Sequence, residues 1–137
     1  MRTVSVREFR NILSSVSSLS EDLYVQRTMG DKLYNWFQQR EIPDLTDVFD
    51  GNNCTIYNIP VRLFETISEG AVLKNLNIVQ TTVSDSTVCQ CNEGCIENVT
   101  VSASVVQEGE SEHSGGLVEV NDGLISKSTF KGSRTPG

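Results

Sequence analysis

The chain opens on a helical pattern and then settles into strand-like ones. In "VSVREFRNILSSV" the apolar residues Val6, Phe9, Leu13 and Val16 recur at a helical period. Ser5 followed three residues later by Glu8 has the spacing of a capping box, and Val4 with Phe9 that of a hydrophobic staple. Together they predict a short amphipathic helix from about Val6 to Val16. "EDLYVQRTM" then alternates from Leu23 to Arg27, which predicts a strand. "DKLYNWFQQREIP" holds Tyr34, Trp36 and Phe37 and reads as partly helical or irregular before Pro43. Core packing or capping is the expected role of those aromatics; an exposed platform for a sugar ring is the alternative.

From Thr55 onward one short pattern recurs, as "IYNIPV", "LKNLNI", "IENVTV" and "ISKSTF". Each copy has an apolar residue, two variable positions (the second Asn in three copies) and then further alternating residues. The copies start at Ile56, Leu73, Ile96 and Ile125, so the separations are 17, 23 and 29 residues. A constant motif at uneven spacing predicts coils that share one corner and differ in their loops. "CNEGCIENV" also matches "VNDGLISKS" at an offset of 29, with Asn92 over Asn121 and Gly94 over Gly123.

A parallel β-helix accounts for this pattern, because each coil lays short strands on those of the coil before it and stacks apolar residues inside. Ile56, Leu73, Ile96 and Ile125 are expected in one interior column, and Ile59, Leu76 and Val99 in a neighbouring one. Asn tolerates the left-handed corner conformation, and its amide can bond its counterpart one coil away. Asn58, Asn75 and Asn98 are therefore expected to form a buried structural ladder that Lys127 ends. Gly94, Gly115, Gly116 and Gly123, with Gly132, are expected to take positive φ at the other corners. An antiparallel sandwich is the competing architecture, but hairpin turns do not explain the repeated Ile-x-x-Asn.

"GGLVEVNDGLISKSTFKG" closely resembles the GLUG motif, Gly-Gly-Leu-Val-Gly-x-Asn-x-Gly-x-Ile followed by a short polar strand and Gly. "CNEGCIENVTVSASV" resembles a degenerate earlier copy. "FDGNNCTIYNI" and "LFETISEGAVLKNLNI" are similar to the segments that precede such repeats, and the N-terminal helix to the cap these proteins often carry. The resemblance spans roughly Asp44 to Gly132. Glu119 replaces the second motif glycine, and Ser86-Thr87 stand where the earlier copy would have Gly-Gly. It implies a right-handed parallel β-helix (solenoid), mainly β, with an N-terminal α-helical cap. Residues 1–48 would form the cap helix and first strands, and residues 49–137 the coils. It further implies a non-enzymatic structural or adhesive module of a surface-exposed or secreted microbial protein, with no shared catalytic residues.

Charge narrows the partners. The 137 residues carry a net charge of −7, and the 11 Lys and Arg are scattered. That argues against a nucleic-acid surface, which needs a clustered basic footprint. The apolar runs are too short for membrane insertion. Arg7, Glu8 and Arg10 interrupt the stretch in which a signal peptide would be uncharged. A viral structural or receptor-binding component, located in the virion, is thus an alternative to a surface protein, as is a piece of a longer chain. The short polar tail "KGSRTPG" cannot bury a coil. The surface around Leu124, Ile125 and Phe130 is accordingly expected to contact further chain or another protein subunit, and a surface glycan is a further candidate partner.

Chemistry is sparse. Cys89, Cys91 and Cys95 form C-x-C-x3-C, which lacks the paired C-x2-C spacing of structural zinc sites, and His113 could join only if its loop returned to the cluster. No metal or other cofactor is expected. Some cysteines are expected in the core, with a disulfide involving Cys54 or Cys95 as the extracellular option. The second alternative function is a β-helix polysaccharide lyase or hydrolase, with Asp44, Asp47, Asp50 and Arg62 as candidates. Asp50-Gly51-Asn52 reads equally well as a turn. Asn53 and Asn98 begin glycosylation sequons that matter only in a eukaryotic secretory pathway.

Overall fold

A computed structural model describes residues 1–26, 42–59, 62–83, 88–107 and 117–135, with side chains described outside 80–83, 103–107 and 132–135. The N-terminal helix α1 spans Val6–Ser15. Ser5 caps it, its hydroxyl accepting from the Glu8 amide at 3.1 Å. Val6, Phe9 and Leu13 are buried, whereas Val16 is 41% exposed and lies just past the last turn. The apolar stripe therefore ends one turn earlier than its sequence period predicts. Arg10 shares the buried face, and its guanidinium donates to the Leu63 and Arg62 carbonyls at 3.1 and 3.2 Å. The helix is thus tied to the chain segment ahead of Phe64 by charge-assisted bonds as well as by packing.

All the strands pair in parallel. β1 (Arg2–Ser5), β2 (Leu23–Gln26), β3 (Val48–Tyr57), β5 (Val72–Val83), β7 (Cys95–Gln107) and β10 (Thr129–Thr135) lie in that order in the larger sheet, and β9 (Leu124–Ser126) also pairs with β7. β4 (Phe64–Ile67), β6 (Cys89–Asn92) and β8 (Val118–Asn121) form the smaller sheet. Parallel neighbours cannot be joined by a tight hairpin. From β3 onward the connection between neighbours in one sheet passes through a strand of the other. Among the described residues the molecule is thus mainly β, with parallel strands in two sheets and one short helix, and every described strand pairing is parallel where an antiparallel sandwich would have antiparallel ones.

The register fixes which side chains stack. Phe49, Leu73, Ile96 and Ile125 pair in sequence across β3, β5, β7 and β9. Leu23, Ile56, Ile78, Val101 and Phe130 form a second column, and Cys54, Leu76 and Val99 a third. The expected columns hold for Leu73–Ile96–Ile125 and for Leu76–Val99 but not for Ile56 or Ile59. Ile56 pairs with Ile78, and Ile59 is buried beyond the end of β3. The cause is a wider corner in β3. Phe49 to Cys54 is five steps where the matching Leu73 to Leu76 is three, so two extra residues are accommodated between Asp50 and Cys54. The match of "IYN" to "LKN" aligns the wrong corners.

One apolar core fills the space between the sheets. Phe49 of the larger sheet meets Phe64 of the smaller one edge to face, with ring centroids 6.2 Å apart and planes at 67°. Phe64, Cys89 and Val118 stack in the smaller sheet. Tyr34, Trp36 and Phe37 lie outside the described residues, as do His113, Gly115 and Gly116.

Candidate functional site

The polar groups that the fold organises sit at its corners. Asn75, Asn98 and Lys127 take left-handed backbone angles, with φ of 57, 54 and 51°. Asn tolerates this region because its short polar side chain can bond locally, whereas an ordinary L-residue is penalised by its Cβ. The Asn98 amide donates to Asn75 Oδ1 at 3.0 Å, and the Asn75 amide donates to Asp50 Oδ1 at 3.1 Å. Asn58 is not part of this ladder. It is also left-handed, at φ 63°, but it stands at the end of β3, where its amide donates to the Val25 carbonyl at 3.0 Å. The misalignment described above is the reason. Burial differs from expectation too, since Asn75 is half-buried and Asn98 exposed.

Asp50 is the residue that sequence reasoning missed as head of the ladder. The Asn52 amide donates to its Oδ1 at 2.8 Å alongside Asn75. These two donors, with the positive charge of Lys74, hold its carboxyl below the usual carboxylate range against a small opposing effect of burial. Asp50, Lys74 and Glu97 are successive register partners, so opposite charges alternate across three strands. The signal was present in the spacing: "FDGNN" places Asp50 one residue after the column residue Phe49, as Lys74 follows Leu73.

A second polar corner follows the smaller sheet. Asn92 is fully buried. Its amide donates to Asn121 Oδ1 at 2.9 Å and to the Leu124 carbonyl at 3.1 Å, and its Oδ1 accepts from the Gly94 amide at 3.1 Å. The Leu124 amide in turn donates to the Gly94 carbonyl at 2.9 Å. Neither Gly94 nor Gly123 takes positive φ; Gly70, at φ 87°, does. What the position requires is proximity. A Cβ on Gly94 would stand 2.5 Å from the Ala71 and Ser68 carbonyl oxygens, and one on Gly123 would overlap the Gly94 carbonyl. Gly132 lies within β10, paired with Ala103.

The other candidate groups are dispersed. Asp44 and Asp47 line a depression of about 330 Å3 beside the last turn of α1. Arg62 is engaged by Glu65, with Nε and Nη2 donating to the same carboxylate oxygen at 3.1 and 2.8 Å. Asp50 belongs to the ladder. Asp44 and Asp47 thus share one depression, whereas Asp50 is engaged by the ladder and Arg62 by Glu65. All four cysteines are free thiols. Cys89 is buried in the core, which pushes its thiol up to about 12. Burial also raises Cys54 and Cys91, helped by Asp22 and Glu21 at Cys54 and by Glu93 and Asp122 at Cys91. These surroundings favour the thiol over the thiolate that metal binding or nucleophilic chemistry requires. Among the described residues no three His, Cys, Asp or Glu side chains are grouped to hold a metal.

At the C-terminal end the outer edges of β8, β9 and β10 have no paired strand among the described residues. Leu124 is 59% and Val120 44% exposed, while Ile125 and Phe130 are half-buried against the core. No protein-family model, curated protein or solved structure matches the chain.

Proposed function

We propose that the chain is a short right-handed parallel β-helix serving as a non-enzymatic structural or adhesive module of a surface-exposed or secreted microbial protein. The observation that carries the reading is the register. Leu73, Ile96 and Ile125 stack in a column, the corner residues Asn75, Asn98 and Lys127 share one backbone conformation, and the chain alternates between two parallel sheets. Right-handedness follows the strong preference of parallel crossovers. The similarity of residues 115–132 to the GLUG motif supports the surface assignment, and the engagement of Asp50 by Asn75 and of Arg62 by Glu65 favours a scaffold over a hydrolase.

In this reading the exposed C-terminal edges around Leu124, Ile125 and Phe130 are where another polypeptide joins. Two experiments test the proposal. Duplicating residues 93–121 adds one 29-residue unit, which a stack of coils accommodates by nearest-neighbour contacts. The longer protein is expected to fold and to melt at or above the temperature of the parent; an unfolded product would refute the stack. Protease shaving of intact producing cells should release the chain. Recovery only after lysis would refute the surface role.

A further inference from the structure

The corner at Asn92 shows what one coil asks of the next, and the corner at Asn121 makes the same request outward. Three groups of the inner corner, the Asn92 amide and the Asn92 and Gly94 carbonyls, face the following coil. Residues 121–124 satisfy all of them: the Asp122 amide donates to the Asn92 carbonyl at 2.8 Å and the Leu124 amide to the Gly94 carbonyl at 2.9 Å, while Asn121 Oδ1 and the Leu124 carbonyl receive the Asn92 amide. Asn121 is set in the same way as Asn92, its Oδ1 accepting from the Gly123 amide at 3.3 Å. No described residue meets the Asn121 amide or the Asn121 and Gly123 carbonyls on the outer side, and Leu124 is exposed beside them.

From this repetition we infer that the C-terminal face binds a segment of a partner polypeptide with the sequence character Asn-x-Gly-apolar, laid on in parallel as residues 121–124 lie on 92–95. The internal contact supplies the template. The incoming residue over Gly123 must lack a Cβ, because Gly123 over Gly94 leaves no space for one. The incoming backbone must bring N–H groups to two carbonyls. A second copy of this chain is the weaker partner, since its own uncovered corner also presents carbonyls outward, and its other end is covered by α1 and β1. The inference deepens the stacked-coil reading and rests on it.

A labelled peptide with the sequence of residues 118–132 is a direct probe, titrated into the full chain and followed by fluorescence anisotropy. Saturable binding is expected, weakened at least about tenfold when the peptide's central Gly is replaced by Ala, the cost of displacing backbone hydrogen bonds. In the protein, Asn121→Asp keeps the oxygen that accepts from Asn92 and Gly123 but removes the outward donor. It should lower the affinity at least about tenfold with the melting temperature unchanged. No saturation by about 1 mM peptide, or binding indifferent to both changes, overturns the inference. Hydrogen exchange in the same samples separates the two levels. Protected Asp122 and Leu124 amides without peptide binding overturn only the partner. Exchange at those amides as fast as in an unstructured peptide would overturn the stacked coils as well.

Discussion

Asp50 Oδ1 receives two donors, and the Asn75 side chain that supplies one of them receives the Asn98 amide in turn. The Asn75 and Asn98 side-chain amides therefore both donate toward the Asp50 carboxylate, and Lys127 occupies the next left-handed corner. Two predictions belong to this scale. Folding lowers the Asp50 carboxyl below its ordinary value, through the bonds from the Asn52 backbone and the Asn75 side chain. Its contribution is therefore full above the unfolded value and is lost as pH falls through the lower folded value. Melting temperatures taken across that acid range should drop less in Asp50→Asn than in the parent, because Asn still accepts from Asn75 and does not titrate. Equal acid sensitivity would show that Asp50 does not head the row. Lys127→Asn should stabilise the chain by about 0.5–1 kcal/mol, since Asn suits φ near 51° and can extend the row to Asn98. A denaturant melt with unchanged or lower stability would count against that geometry.

Elements were legible in the sequence to different depths, for physical reasons. α1 was readable because its signals are local: the Ser5 cap, Glu8 three residues on, and the Val6–Phe9–Leu13 stripe all act within two turns. β1 was not, because "RTVS" is four residues with no apolar alternation of its own and is a strand only by pairing with β2. The 29-residue offset linking Asn92 to Asn121 was visible as sequence identity, whereas the two extra residues in β3 are fixed by pairing with β5. Glycine chemistry misled in one respect, since Gly94 is needed for the approach of Ala71 and Ser68 and not for its own φ. Gly94→Ala should accordingly cost about 1–3 kcal/mol, as overpacking does, with no relief from backbone preference. At the helix, Phe9→Ala should cost about 3–5 kcal/mol, the range for a large buried aromatic, and Ser5→Ala about 1 kcal/mol, the loss of one cap. Denaturant melts that rank Ser5 above Phe9 would mean that α1 is held by its own turns rather than by the core.

The whole molecule grades in burial from one end to the other, and that gradient has a measurable consequence. Ile96, Val99 and Val101 of β7 are fully buried, while their outer neighbours Ile125 and Phe130 are half-buried and Leu124 is mostly exposed. In a stack each layer is stabilised by its own strands and by the layers beside it, so a terminal layer with one neighbour and less apolar burial opens at lower free energy than a layer held on both faces. β5 has β3 on one side and β7 on the other; among the described strands β9 and β10 pair with β7 alone. At the opposite end β1 is an edge as well, but α1 packs there with Phe9 in the core. Amide exchange followed by mass spectrometry should therefore run fastest over 124–135, slower over β7 and slowest over β5, with β1 protected beyond an ordinary edge strand. The peptide probe of the C-terminal face should raise protection over 124–135 first. Exchange of all strands at one common rate would mean that the molecule opens only as a unit, and the C-terminal face would then be a finished surface, not a layer waiting for its neighbour.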